Sequence, residues 1–311
     1  MRANNYLIFG KKLLILIVIL IISDFIAGKA LSYLYFKQSS GTKFRTTYTL
    51  DSTNAEVLIL GSSRASHHYD TQLLSDSLGL SVYNAGRDGT NIIYSNAIIR
   101  SVLKRYHPKL VILDINSSEF YNVPTRDENL VSLLPYYSLH PELETFIKSR
   151  SELEYIKLLS QVYPFNSTVV SSLSGLRRKS EIDINGYLPI EGNLESDDFD
   201  TLDFNKFIYS NNLNKNFLDI IHACKESNVR LLIVQSPRYD KYLNDKCELE
   251  LASISQKNQV VYSSYINDST FVYNKDLFKD QSHLNSKGAI LFTNSLLKQL
   301  RPLINQKVNN N

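Results

Sequence analysis

Only two cysteines, Cys224 and Cys247, occur in the 311 residues, and they form neither a paired metal-ligand spacing nor a redox motif. Dithiol chemistry and cysteine-based metal centres are thereby excluded. Two small buried thiols, or a disulfide formed outside the cytoplasm, both remain open because spacing does not set connectivity. Charge of one sign is also scarce: the formal net charge is +3, an excess that Arg2, Lys11 and Lys12 alone account for. The balanced remainder offers no surface for nucleic acid. Internal repeats and long low-complexity runs are absent as well. With 43% hydrophobic residues, the chain can bury the core of one domain carrying insertions and an anchor.

What the chain does have begins at its amino terminus. After Lys11-Lys12 the stretch Leu13 to Ser23 is almost wholly apolar, and it continues through Asp24 and Lys29 to Tyr33, Tyr35 and Phe36. Residues 13–36 are long enough to cross a bilayer. Asp24 and Lys29 are costly at mid-membrane, so the uninterrupted part also fits a secretory h-region, and a buried soluble helix is a third reading. No clean small-x-small cleavage site follows, and the aromatic cluster fits an interfacial belt, which favours an uncleaved signal anchor. Basic residues flank both ends. The short tail with its free amine favours a cytoplasmic amino terminus, which makes the protein single-pass with its main domain periplasmic or at the cell surface. Residues 37–55, rich in Ser, Thr and Lys and without periodicity, read as a tether.

Beyond the tether, continuous apolar runs alternate with segments of helical spacing. Val57 to Leu60, Leu80 to Tyr83, Leu110 to Leu113, Leu231 to Val234 and the weaker Val260 to Tyr262 read as strands. Leu73, Leu74 and Leu78, then Ile92, Ile93, Ala97 and Val102, and finally Ala289 to Leu300 carry the apolar stripes of helices. The alternation predicts an α/β fold: a flavodoxin-like three-layer sandwich with a parallel sheet of about five strands, plus the amino-terminal transmembrane helix. The domain spans 56–303, with a tail at 304–311 expected to be disordered. From about 120 to 203 the alternation lapses. That insertion contains Leu133-Leu134-Pro135-Tyr136-Tyr137, an expected helix near Glu142 to Leu159, and the acidic Asp197, Asp198 and Asp200. Either a lid or acceptor-binding cap, or a helical excursion that covers apolar surface, fits it.

Polar motifs fall at the carboxyl ends of the runs, where open parallel sheets bind ligands. They are Gly61-Ser62-Ser63-Arg64 after the first, Asn84-Ala85-Gly86-Arg87-Asp88-Gly89-Thr90 after the second, Asp114-Ile115-Asn116 after the third, and Asp280-Gln281-Ser282-His283 before the last helix. In order and spacing these blocks resemble the SGNH or GDSL-type hydrolases over roughly residues 56–300. The resemblance implies a nucleophile at Ser63, a base at His283 oriented by Asp280, and an oxyanion hole from the N–H groups of Ser63 and Gly89 with the Asn116 amide. Gly86 is then expected to serve the turn through a positive φ.

Gly-Ser-Ser-Arg in place of Gly-Asp-Ser resembles the membrane-linked members that acylate envelope polymers. The resemblance therefore implies a serine acyl-ester hydrolase or O-acyltransferase acting on an acylated carbohydrate or related polymer, with no cofactor. The alternative is a catalytically inactive SGNH-like domain that binds glycan or scaffolds an assembly.

Asp114 and Asn116 share one face of a strand, so a carboxylate beside the oxyanion pocket needs neutralising. Arg64 or Arg87 is expected to do so. The competing reading has Arg64, Arg87 and Arg238 gripping an anionic substrate. His67-His68 point in different directions and have no acidic partner at ligand spacing, so no metal is expected. His107, His140 and His222 read as structural.

Overall fold

Side chains apolar at both alternations make the centre of the molecule. Val57, Leu58, Ile59 and Leu60 are all fully buried, as a strand covered on two faces must be. The computed structural model describes residues 2–121, 127–169, 183, 185–196, 203–206, 208–240 and 245–305. In chain order its elements are α1 (Arg2–Phe36), α2 (Gly41–Asp51), β1 (Val57–Leu60), α3 (Ser63–His68), α4 (Thr71–Leu78), β2 (Val82–Asn84), α5 (Ile92–Arg105) and β3 (Leu110–Asp114). There follow α6 (Glu144–Lys148), α7 (Glu154–Lys157), α8 (Asn211–Glu226), β4 (Arg230–Gln235), α9 (Cys247–Lys257), β5 (Val261–Ser264) and α10 (Ser286–Asn305). The chain divides into two compact units, one of Met1–Phe44 with Leu130–Lys179 and one of Arg45–Asn129 with Ser180–Asn311.

The second unit is the expected α/β fold. Its five strands run parallel in the order β2-β1-β3-β4-β5, with Val57 opposite both Val82 and Leu110. One sheet face, formed by Val57, Ile59, Ile112, Leu232 and Val234, packs into a core with Ala65, Leu74, Phe292 and Leu296 from α3, α4 and α10. The alternate residues Leu58, Leu60, Val111, Leu113 and Ile233 are equally buried, so the opposite face is covered too, on the side where α5 packs along α8. In this strand order the connections diverge between β1 and β3, and the crevice opens beyond the carboxyl ends of those strands.

In the first unit, Asn5–Phe36 of α1 is long and apolar enough to cross a membrane by length and composition, its most apolar 18-residue window having mean hydropathy 2.5. Tyr35 lies edge-on to Phe36, Tyr136 and Phe165 at centroid distances of 5.1, 5.9 and 5.8 Å.

Several expectations are corrected. The stretch 37–55 contains the helix α2, not an irregular tether: Arg45, Thr46, Thr49 and Leu50 are buried, and Arg45 Nη1 donates to the Gly186 carbonyl at 3.1 Å. Three of its four buried side chains are polar and form no apolar stripe, so periodicity could not reveal it. The helix expected over Glu142 to Leu159 is broken into α6 and α7, with Pro141 opening a 3₁₀ turn before them. The insertion is not one body. Residues 130–169 group with α1, whereas residues 185–190 run beside β2 and α3, with Asn84 N–H donating to Asn185 O at 2.9 Å and Leu188 N–H to Ser66 O at 2.9 Å. The helix α10 continues to Asn305, past the expected domain end, and residues 306–311 lie outside the described residues. Asp197, Asp198 and Asp200 also lie outside them. Cys224 and Cys247 are both free and buried, with burial pushing each thiol up to about 12.

Candidate active site

Gly61 lets the chain turn sharply out of β1. Its φ is +144°, and a Cβ there would stand 2.6 Å from the Asp114 carbonyl oxygen and 2.9 Å from the Ala65 Cβ. Only glycine fits both limits. The turn starts α3 at Ser63, so the hydroxyl sits at the sheet's rim, half-buried.

His283 reaches it from the loop before α10. Nε2 of His283 lies 2.7 Å from Ser63 Oγ, and Nδ1 lies 2.9 Å from both carboxylate oxygens of Asp280. Asp280 Oδ1 also accepts from the N–H groups of Ser282 at 2.8 Å and His283 at 3.0 Å. Burial pushes this carboxyl up, yet the hydrogen bond and charge of His283 with those two backbone donors outweigh it and hold Asp280 below its ordinary value. Asp280 is nevertheless open to water, its side chain 54% exposed.

The loop carrying this pair is clamped from two sides. Leu284 N–H donates to His68 Nε2 at 3.0 Å, so His68 Nδ1 is the protonated nitrogen and donates to Ser236 Oγ at 2.9 Å. Burial, with the Arg64 charge adding to it, holds His68 neutral. Arg238 Nη1 donates to Ser282 Oγ at 2.9 Å while its Nε pairs with Asp240 at 2.9 Å, and Gln281 Nε2 donates to Asp240 Oδ2 at 2.7 Å. Arg238 is buried, so it supports the histidine loop and does not reach outward for a substrate anion.

Arg64, not Arg87, is the partner of Asp114. The two charges are 3.3 Å apart with side chains 3% and 1% exposed, and Arg64 also donates to the carbonyls of Ile115 at 2.6 Å and Ser236 at 3.2 Å. Burial pushes the Asp114 carboxyl above its ordinary value despite this guanidinium. Arg87 instead donates to Thr46 Oγ1 at 2.7 Å and lies over the Tyr94 ring.

The turn after β2 reverses the expected roles of its glycines' geometry. Gly89 has φ +71°, while Gly86 is not among the positive-φ glycines and is needed for close approach, since a Cβ would meet Ser66 N at 2.6 Å and Ala65 Cβ at 2.7 Å. Gly86 N–H is spent on Asn84 Oδ1 at 2.9 Å. The side-chain oxygen of Asn116, two residues past β3 at the start of a 3₁₀ turn, accepts from Ser118 N–H at 3.1 Å, which orients the amide.

His67 has an acidic partner after all, brought by folding from 21 residues away. Its Nε2 lies 3.1 Å from Asp88 Oδ2 and its Nδ1 2.7 Å from Leu188 O, two acceptors that require both nitrogens to be protonated. Burial opposes the charge, but Asp88 and the Leu188 carbonyl prevail, raising His67 above its ordinary value and holding Asp88 down at about 2. This imidazolium stands edge-on to His283 at 5.5 Å between centroids. Nothing in the sequence spacing marks the pair, although Asp88 belongs to the same turn as Gly89. Among the described residues no cluster of three or more His, Cys, Asp or Glu could hold a metal ion.

A raised histidine and a depressed carboxylate stabilise the fold most between their unfolded values, about 3.9 and about 6.5, and the benefit is lost as pH rises through the folded value of His67. Asp88→Asn should therefore lower the melting midpoint near pH 6 and converge on the wild type once the pH has risen through the folded value of His67. Thermal melts of both proteins across that range check this, and a pH-independent gap would remove the ion pair from the account.

No family model matches the chain, and no curated protein matches it either. Solved structures that it resembles include an acetyl-xylooligosaccharide esterase from Geobacillus, 11% identical with a TM-score of 0.43, covering 82% of this chain and 96% of the other. A GDSL-like lipase from Bacteroides thetaiotaomicron is 9% identical with a TM-score of 0.38, covering 84% of this chain and 98% of the other. A candidate acylhydrolase from Bacteroides fragilis is 12% identical with a TM-score of 0.41, covering 80% and 87%.

Proposed function

We propose that this chain is a membrane-anchored serine esterase or O-acyltransferase of the SGNH type, acting on an acylated carbohydrate or hydroxylated polymer at the cell envelope. The observation that carries the reading is the unbroken relay from Asp280 through His283 to Ser63, with links of 2.9 and 2.7 Å. A serine hydroxyl is a poor nucleophile until a neighbouring base takes its proton. Here His283 Nε2 takes it as Ser63 Oγ attacks the ester carbonyl, then delivers it to the leaving alcohol, which gives an acyl-serine. Water or a second hydroxyl then attacks that ester, its proton passing to His283 and on to Ser63 Oγ. Asp280 holds the imidazole with Nδ1 protonated and offsets the charge that forms on it.

The oxyanion of each tetrahedral intermediate is assigned to the N–H groups of Ser63 and Gly89 and the amide of Asn116. The engagement of Gly86 N–H by Asn84 supports Gly89 as the donor from that turn. Preorganised donors of this kind are worth about 3–4 kcal/mol each in comparable sites. Hydrolysis and transfer share the acyl-serine and differ only in the second nucleophile. Residues 1–36 are assigned to a cytoplasmic tail and signal anchor, with the catalytic domain outside the cytoplasm.

The test is covalent. The full chain in detergent should react with a fluorophosphonate probe, Ser63→Ala should not react at all, and His283→Ala should react far more slowly. A folded wild-type protein that stays unlabelled would replace this reading with that of a binding module.

A further inference from the structure

In the unit formed by α1 and residues 130–169, the short stretch 153–159 turns a carboxylate inward and large apolar side chains outward. Glu154 of α7 is buried, 1% exposed, and gathers Arg150 at 3.2 Å, Lys157 at 3.0 Å and the Tyr163 hydroxyl at 2.9 Å around its carboxylate. Leu153, Tyr155, Ile156 and Leu159 from the same short stretch are 56%, 60%, 49% and 78% exposed. A surface turned to water has the opposite polarity, with its charge outside and its leucines beneath.

The stretch is fixed to α1 at a defined height. Asp24 accepts from Ser160 Oγ at 2.5 Å and from the N–H groups of Gln161 at 2.6 Å and Val162 at 3.4 Å. One turn further on, Gly28 leaves room for the Gln161 backbone, whose oxygen would stand 2.6 Å from a Cβ at that position. The carboxylate that counts against residues 13–36 as a span is thus satisfied inside the unit, and its helical neighbours Phe25 and Ile26 remain 52% and 63% exposed. At a rise of about 1.5 Å per residue, Asp24 lies roughly 16 Å beyond Leu13, within a hydrocarbon layer about 30 Å thick.

We propose that residues 153–159 are a second membrane element, an amphipathic foot held on α1 by Asp24, with Leu153, Tyr155, Ile156 and Leu159 immersed in the lipid of the leaflet nearer the carboxyl end of α1. This rests on reading α1 as a membrane span. The occupant is lipid, since Asp24 ties the stretch to a helix whose own Phe25 and Ile26 are exposed beside the tie. Lysines 148 and 157 are already paired with Glu144 and Glu154, so insertion is driven by apolar area and is insensitive to salt.

Single cysteines at Ile156, Leu159, Ile19 and Leu249, each carrying an environment-sensitive fluorophore, test this in the full chain reconstituted into phosphatidylcholine vesicles, with Cys224 and Cys247 replaced by serine. Ile19 reports the span, and Leu249, 76% exposed in the other unit, reports water. Probes at 156 and 159 should shift to the blue and lose emission to doxyl-labelled lipid as the probe at 19 does, equally at low and high salt. Probes at 156 and 159 that behave like the one at 249 while 19 is quenched would overturn the foot and leave the anchor standing. An unquenched probe at 19 would overturn the anchor itself, and the foot with it.

Discussion

His283→Ala is expected to lower kcat on an activated ester by roughly 10⁴- to 10⁶-fold, with little change in KM, because the imidazole in the proposed role of base acts on the transition state and not on substrate binding. Asp280→Ala should cost at least an order of magnitude less. The carboxylate is 54% exposed, so water can take over part of its contact with Nδ1, and solvent screens the charge it supplies. Steady-state kinetics on the two variants beside wild type decide the matter. Equal losses would mean that Asp280 is as indispensable as a dry triad carboxylate, and loss of neither would remove the relay from the chemistry.

Arg64→Ala is expected to destabilise the fold by about 3–5 kcal/mol, the range for stripping one member from a buried ion pair, read as a fall in the denaturation midpoint. Asp114, with side chain 1% exposed, would be left without its cation, and the carbonyls of Ile115 and Ser236 would lose their donor. Asp114→Asn should be milder. Burial already raises that carboxyl, and Arg64 keeps two carbonyl acceptors. Exchanging the two charges should not restore stability, since a carboxylate at position 64 would face those same carbonyls. Denaturant titration of the three variants separates these outcomes, and recovery in the exchanged pair would show that Coulomb attraction alone holds the corner together.

The centre of the sheet was legible because β1 and β3 are buried on both faces. Val57 to Leu60 and Leu110 to Leu113 carry no polar residue to confuse the period, and turn chemistry after each set the polar blocks at the carboxyl ends. The α2 helix was not legible, since Arg45, Thr46 and Thr49 are buried by partners distant in sequence and leave no apolar stripe. The same holds for the arginines. Sequence offered Arg64 and Arg87 equally for Asp114, and only the folded chain decides: the start of α3 sends Arg64 to the carboxylate, and the turn after β2 sends Arg87 to Thr46.

What the sequence determined by itself is the parallel sheet, the chain order of serine, glycine, asparagine and histidine blocks, and an apolar amino terminus long enough to span a bilayer. These follow from local patterns, where each residue's neighbours along the chain suffice. Tertiary structure alone decided the charge states of two adjacent histidines. His67 faces a carboxylate and a carbonyl and must be cationic, whereas His68 accepts from Leu284 N–H and must be neutral. It also decided the inverted polarity around Glu154, because burial and hydrogen-bond partnership are properties of where the chain returns to itself.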